Sequence, residues 1–157
     1  AVPPPPTTTP TAPPAPPVPP AQRAWAAYDA SVPAAWRGAI TVSIELIGGS
    51  TSWGWQSGLI QVSAAHARDD DELRATLAHE FGHLIAYRYG AQSTNGAAPV
   101  GWPSYSDQPV EAWADCVTQA FTGLDDPSHG LPSCPAASLA WTATWLAQGP
   151  AAHPRTD

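Results

Sequence analysis

Methionine and lysine are absent from this sequence, cysteine occurs only twice, and no long apolar run is present. Each shortage excludes something. Without lysine, the six basic residues are all arginine, set against 13 acidic residues for a net charge of −7. Such a chain has no electrostatic footprint for a phosphate backbone, which argues against nucleic acid as a partner. Without a stretch of about 18 apolar residues, no segment reads as a membrane-spanning helix. No basic segment followed by an apolar one opens the chain, so its start reads as that of a mature or trimmed protein, compatible with a signal peptide or membrane anchor upstream of Ala1. The two cysteines, Cys116 and Cys134, lack the close spacing of a zinc-binding pair. In an oxidising compartment they pair and close a loop, contributing about 3 kcal/mol on the chain-entropy model. In a reducing one they are two buried thiols.

What is abundant is proline, with eleven of the 20 in residues 1–20. A run of that kind forms an extended spacer rather than a core. The remainder, 21–157, has the length and apolar content of one domain, with room for a cleft between two lobes. A short helix is expected over Gln22–Tyr28, stopped by Pro33. Ala39–Ile47 alternates Ile40, Val42, Ile44 and Leu46 with polar residues, the period of a strand buried on one face. Leu59–Ser63 is a second, short strand, expected at a sheet edge where Ile60–Ser63 can pair with an extended peptide. Asp69, Asp70, Asp71 and Glu72 suit a helix start, and Leu73, Leu77, Phe81 and Leu84 continue at helical spacing to about Tyr89, with Gly90 as a stop. Pro109 opens another helix, ending near Gly123, and Ala136–Ala147 forms a last one. Trp53, Trp55 and Trp102 fall in loops and are expected to pack over the core, the alternative being a substrate cleft or a carbohydrate or peptide contact.

The chemistry lies in His79-Glu80-Phe81-Gly82-His83. On a helix the two histidines are one turn apart and reach one divalent ion, zinc being the metal that best suits such donors. Glu80 lies beside them and reaches a water rather than the metal, the position of a general base in hydrolysis. A catalytic zinc takes three protein ligands. Glu111 is the best third, and Asp115, one turn on, can accept a hydrogen bond from the non-coordinating nitrogen of His79 and orient that ring. Two carboxylates on an otherwise apolar helix imply partners, because buried charges need them.

His79-Glu-Phe-Gly-His83 followed by Glu111-x-x-x-Asp115 resembles the gluzincin pattern of zinc peptidases, over roughly residues 70–120. The resemblance implies an α+β, zincin-like fold. A small twisted sheet packs on the active-site helix, and a mostly helical C-terminal part supplies Glu111. It implies one Zn2+ per chain on His79, His83 and Glu111, with Glu80 as base and acid and Asp115 behind the ligands. It also implies a Tyr or His that stabilises the oxyanion, for which Tyr105 and His129 are the candidates, ahead of His66 and His153. A metzincin fits less well, since position 89 is Tyr and the chain has no Met. An aspzincin-like variant would use Asp115 as third ligand. The expected protein is therefore a monomeric, secreted or cell-surface metallopeptidase acting on peptides or proteins. The rival is a catalytically inactive zincin-fold binding or scaffold domain at the cell surface.

Overall fold

The structure, a computed structural model, describes residues 17–89, 98–126 and 130–155. The proline-rich spacer lies outside these residues except for its last four. Pro20, the last of them, opens α1 (Pro20–Ser31), where its missing N–H leaves no bond unmade. Ala24, Ala27, Tyr28 and Ser31 form the buried stripe of this helix. It runs further in both directions than the Trp25–Tyr28 pair alone implies. Val32 ends it with N–H donated to Tyr28 O, and Pro33 follows. The single turn α2 (Ala34–Arg37) buries Trp36, whose indole N–H donates to Leu146 O at 3.1 Å and ties the N-terminal helices to the C-terminal one.

A three-stranded sheet follows, built from β1 (Ser43–Ile47), β2 (Trp53–Gly54) and β3 (Leu59–Ser63) in the order β1-β3-β2. β1 is parallel and β2 antiparallel to β3. The ladder starts only at Ser43, because its partner β3 starts at Leu59; Ile40 is buried without joining a strand. Ile60 and Val62 point into the core. The expectation that Ile60–Ser63 is a free edge is corrected here: both sides of β3 are bonded. The edge against the long helix at residues 70–89 is β2, too short to register as a strand by alternation. Gly58, at φ +94°, turns the chain from β2 into β3 beside the Thr41 carbonyl, where no side chain fits.

α3 (Asp70–Tyr89) is the central helix. Asp69 caps it, its Oδ1 accepting the Glu72 N–H at 2.8 Å. From Ala75 to Ala86 every residue is buried, so the helix is enclosed on all sides rather than amphipathic. α4 (Pro109–Thr122) begins at proline and ends at Gly123, which takes φ +72° and donates its N–H to Gln119 O. α3 and α4 meet at Gly82. A Cβ there would stand 2.9 Å from Ala114 Cα, closer than side chains come, so only glycine permits this approach. Trp113 locks the crossing with an indole N–H donated to Gly82 O at 3.0 Å. α5 (Ala136–Ala147) covers α4 and adds Trp145, stacked on Trp36 and His153. One continuous core runs from Ala27 to Leu146, with the α3–α4 pair at its centre. The fold is thus α+β, a small mixed sheet with five α-helices among the described residues. Among the described residues no helix is long and apolar enough to cross a membrane.

Candidate metal centre

The α3–α4 crossing sets the geometry of the site. His79 and His83 project from α3, Glu111 from the first turn of α4 and Asp115 from the next. His79 Nε2 lies 3.1 Å from Glu111 Oε2 and 3.1 Å from His83 Nε2, and His83 Nε2 lies 3.4 Å from Glu111 Oε2. Donors about 2.0–2.1 Å from a tetrahedral zinc stand roughly 3.3 Å from one another, so the three atoms outline one face of such a tetrahedron.

The donor chemistry points the same way. His79 Nδ1 meets Asp115 Oδ1 at 2.9 Å, and a carboxylate accepts, so Nδ1 carries the proton. The Nε2 of a neutral His79 then turns a lone pair toward the acceptor Glu111. Convergent acceptors need a positive charge between them. A proton on His79 provides it in the bare chain. Burial alone would discharge this ring, but hydrogen bonds to Asp115 and Glu111, with the charges of Glu80 and Asp126, lift its pKa to about 10. The same bonds from His79 and His83 hold the Glu111 carboxyl far below the usual carboxylate range, against its partial burial. A divalent cation provides the charge equally well, and His79, His83 and Glu111 offer three ligand atoms within 4.8 Å of one another. The residues present therefore fit a metal ion; they do not by themselves select zinc over other ions that suit nitrogen and carboxylate donors.

Glu80 is held beside this group and is 3% exposed. Burial pushes its carboxyl up to about 7, Glu111 and Asp126 add to the effect, and His79 and the Gly54 N–H oppose it. Gly54 of β2 lies so close that a Cβ would strike the Glu80 carbonyl oxygen, which makes glycine obligatory at the sheet edge. Trp53, Gly54, Glu80, His83, Tyr87, Val110 and Glu111, with Thr51 and Ser52, line a cleft of about 310 Å³. A wider depression at the start of α3, lined by Asp69, Asp71, Glu72 and Asp125 among others, brings together no comparable ligand set.

The sequence-based candidates fall out as follows. His79, His83 and Glu111 converge, Glu80 borders them in the cleft, and Asp115 sits behind His79. Tyr105 packs edge-on against Trp102, its hydroxyl buried without a hydrogen bond among the described residues; burial and the charges of Asp115 and Asp125 raise its pKa to about 12. His129 lies outside the described residues. His66 bonds Ser52 Oγ at 3.0 Å, and His153 stacks on Trp145. Cys116 and Cys134 form a disulfide. Trp102 is buried as expected, whereas Trp53 and Trp55 are about half exposed. Sequence reasoning missed Tyr87, Asp126 and the Trp53–Gly54 edge. Tyr87 had a signal, its place one turn beyond His83. Asp126 had none, because only the tertiary fold brings its loop to His79. No protein-family model matches the chain, and no curated protein or solved structure matches it either.

Proposed function

We propose that the protein is a zinc-dependent peptidase of the gluzincin type. The observation that carries this reading is one cleft lined by His83, Glu111 and the buried Glu80 carboxyl, with a pKa of about 7, where the ligand atom of His79 converges on those of His83 and Glu111 from behind. A purely structural metal site has no use for the carboxyl. Zinc bound to His79, His83 and Glu111 would polarise a carbonyl and acidify a water toward neutral pH. Glu80 accepts the proton of the attacking water and returns it to the leaving amine, a task suited to a carboxyl that titrates near neutrality. Asp115 keeps His79 in the tautomer that leaves Nε2 for the metal. The substrate backbone lies along the β2 edge at Trp53–Gly54. Tyr87, which lines the cleft one turn past His83, is the proposed hydrogen-bond donor to the oxyanion. The disulfide suits an oxidising, extracytoplasmic setting.

A second reading, a binding domain that keeps the metal site without catalysis, draws on the exposed indoles of Trp53 and Trp55. Assaying zinc-loaded wild type and Glu80→Gln against a peptide library separates the two. The peptidase reading expects cleavage by wild type and a loss of about 10²-fold or more in Glu80→Gln, with zinc retained. No cleavage by wild type, with partner capture unchanged in Glu80→Gln, would favour the binding domain.

A further inference from the structure

We infer that Asp126 is a positioning residue for His79 and that the Cys116–Cys134 disulfide holds it in place, so that metal affinity depends on the disulfide. This rests on the metal-site reading above. Asp126 comes from the segment after α4, and its Oδ2 lies 3.6 Å from His79 Nδ1, the same nitrogen that Asp115 Oδ1 meets at 2.9 Å. The Nδ1 proton can serve one short hydrogen bond, and Asp115 takes it. Asp126 therefore acts on the ring through its charge. It favours the Nδ1–H tautomer and makes Nε2 a stronger donor to a metal. Both carboxylates are buried, Asp115 at 6% and Asp126 at 7% exposure. Carboxylates facing one nitrogen of an imidazole favour positive charge on its other nitrogen. A divalent ion on Nε2 keeps it there. The pattern Glu111-x-x-x-Asp115 has no place for Asp126, so this residue is not part of the resemblance.

The covalent frame explains why a loop carboxylate stays at this depth. Cys116 follows Asp115 directly on α4, and its bond to Cys134 closes a ring, spanning a sequence separation of 18, that contains Asp126. A polar tie accompanies it: Asp125 accepts from Gln119 Nε2 of α4 and from Ser133 Oγ, both at 3.1 Å. Each end of the segment is thus fastened to the helix that carries Glu111. A dithiol reductant, oxidised to its own disulfide, delivers two electrons and two protons, turns Sγ–Sγ into two thiols and releases the covalent fastening. Loosening the segment lets Asp126 draw away from His79.

The test compares zinc dissociation constants, measured by competition with a chromophoric chelator. The proteins are oxidised wild type, Asp126→Asn, the pair Cys116→Ala/Cys134→Ala, and all three changes together. Asp126→Asn and the cysteine pair should each weaken zinc binding about 10-fold or more, and the triple variant should be no weaker than Asp126→Asn alone. Nitrogen-detected NMR of zinc-bound His79 should show a shifted Nδ1–H signal in Asp126→Asn, a change that a merely structural aspartate would not produce. Unchanged affinity in Asp126→Asn overturns the role of the residue. Losses that multiply in the triple variant overturn the coupling through the disulfide. If the cysteine variants do not fold, as judged by circular dichroism, wild type before and after mild reduction replaces them. Wild type that binds no zinc at all overturns the metal-site reading itself, a result distinct from tight zinc binding that ignores Asp126.

Discussion

At the scale of single residues, the site combines groups that would not share a buried space without a shared positive charge. His79 holds a proton because Asp115 and Glu111 outweigh its desolvation, and Glu80 resists ionisation because it is buried near other acids. Both shifts raise a folded-state pKa, from 6.5 to about 10 for His79 and from 4.5 to about 7 for Glu80. A group raised in this way stabilises the fold fully below its unfolded value and loses that contribution as pH rises through the folded one. Metal-free protein should therefore lose thermal stability as pH climbs from about 4.5 to about 10 through these two groups. Zinc-loaded protein should lose less, since the ion replaces the His79 proton. Melting curves across that range, with and without zinc, check this; a metal-free curve that is flat or rises with pH contradicts it. Tyr87 is the other residue-scale prediction. Tyr87→Phe should lower kcat by roughly 10²-fold, the usual effect of removing one oxyanion donor, and leave zinc content unchanged. Unaltered kcat would return the role to Tyr105 or to His129.

At the scale of elements, the geometry of the candidate metal site depends on how closely α3 and α4 approach. Gly82 lies inside the His79–His83 turn, and its missing side chain lets Ala114 and Trp113 come near. In an exposed helix, Gly→Ala stabilises by roughly 0.5–1 kcal/mol. Here the added Cβ would stand 2.9 Å from the Ala114 backbone, so Gly82→Ala should destabilise instead, by about 1–3 kcal/mol, and weaken zinc binding by moving Glu111 off the histidines. A chemical denaturation midpoint that rises in this variant would contradict the close-packing account. The helices were legible for local reasons. Acidic starts, proline first turns, a terminal glycine and helical spacing delimit α3, α4 and α5 nearly to the residue. The candidate ligands were legible because one-turn spacing puts His79 with His83 and Glu111 with Asp115. The sheet was less so. β2 has two residues, and β3 is central only because β2 folds back on it, a pairing that no periodicity encodes.

At the scale of the whole molecule, a small chain encloses α3 on all sides from Ala75 to Ala86. α1 and the sheet pack on α3, α4 crosses it, α5 covers α4, and the Trp36–Leu146 hydrogen bond joins the first elements to the last. The disulfide adds about 3 kcal/mol on the chain-entropy model and fastens the loop that reaches His79. Asp126 was hidden from sequence reasoning because it meets His79 only in the folded chain, across a distance in sequence that no local preference encodes. The elements that close the core, α3 and α4, also carry the candidate metal ligands. The central claim is that three side chains from two helices form one metal site. Elemental analysis of wild type and Glu111→Ala, each offered equimolar zinc and then desalted, tests it most directly. The account predicts about one zinc per chain in wild type and a large loss in Glu111→Ala. No zinc in wild type, or full retention in Glu111→Ala, would contradict it.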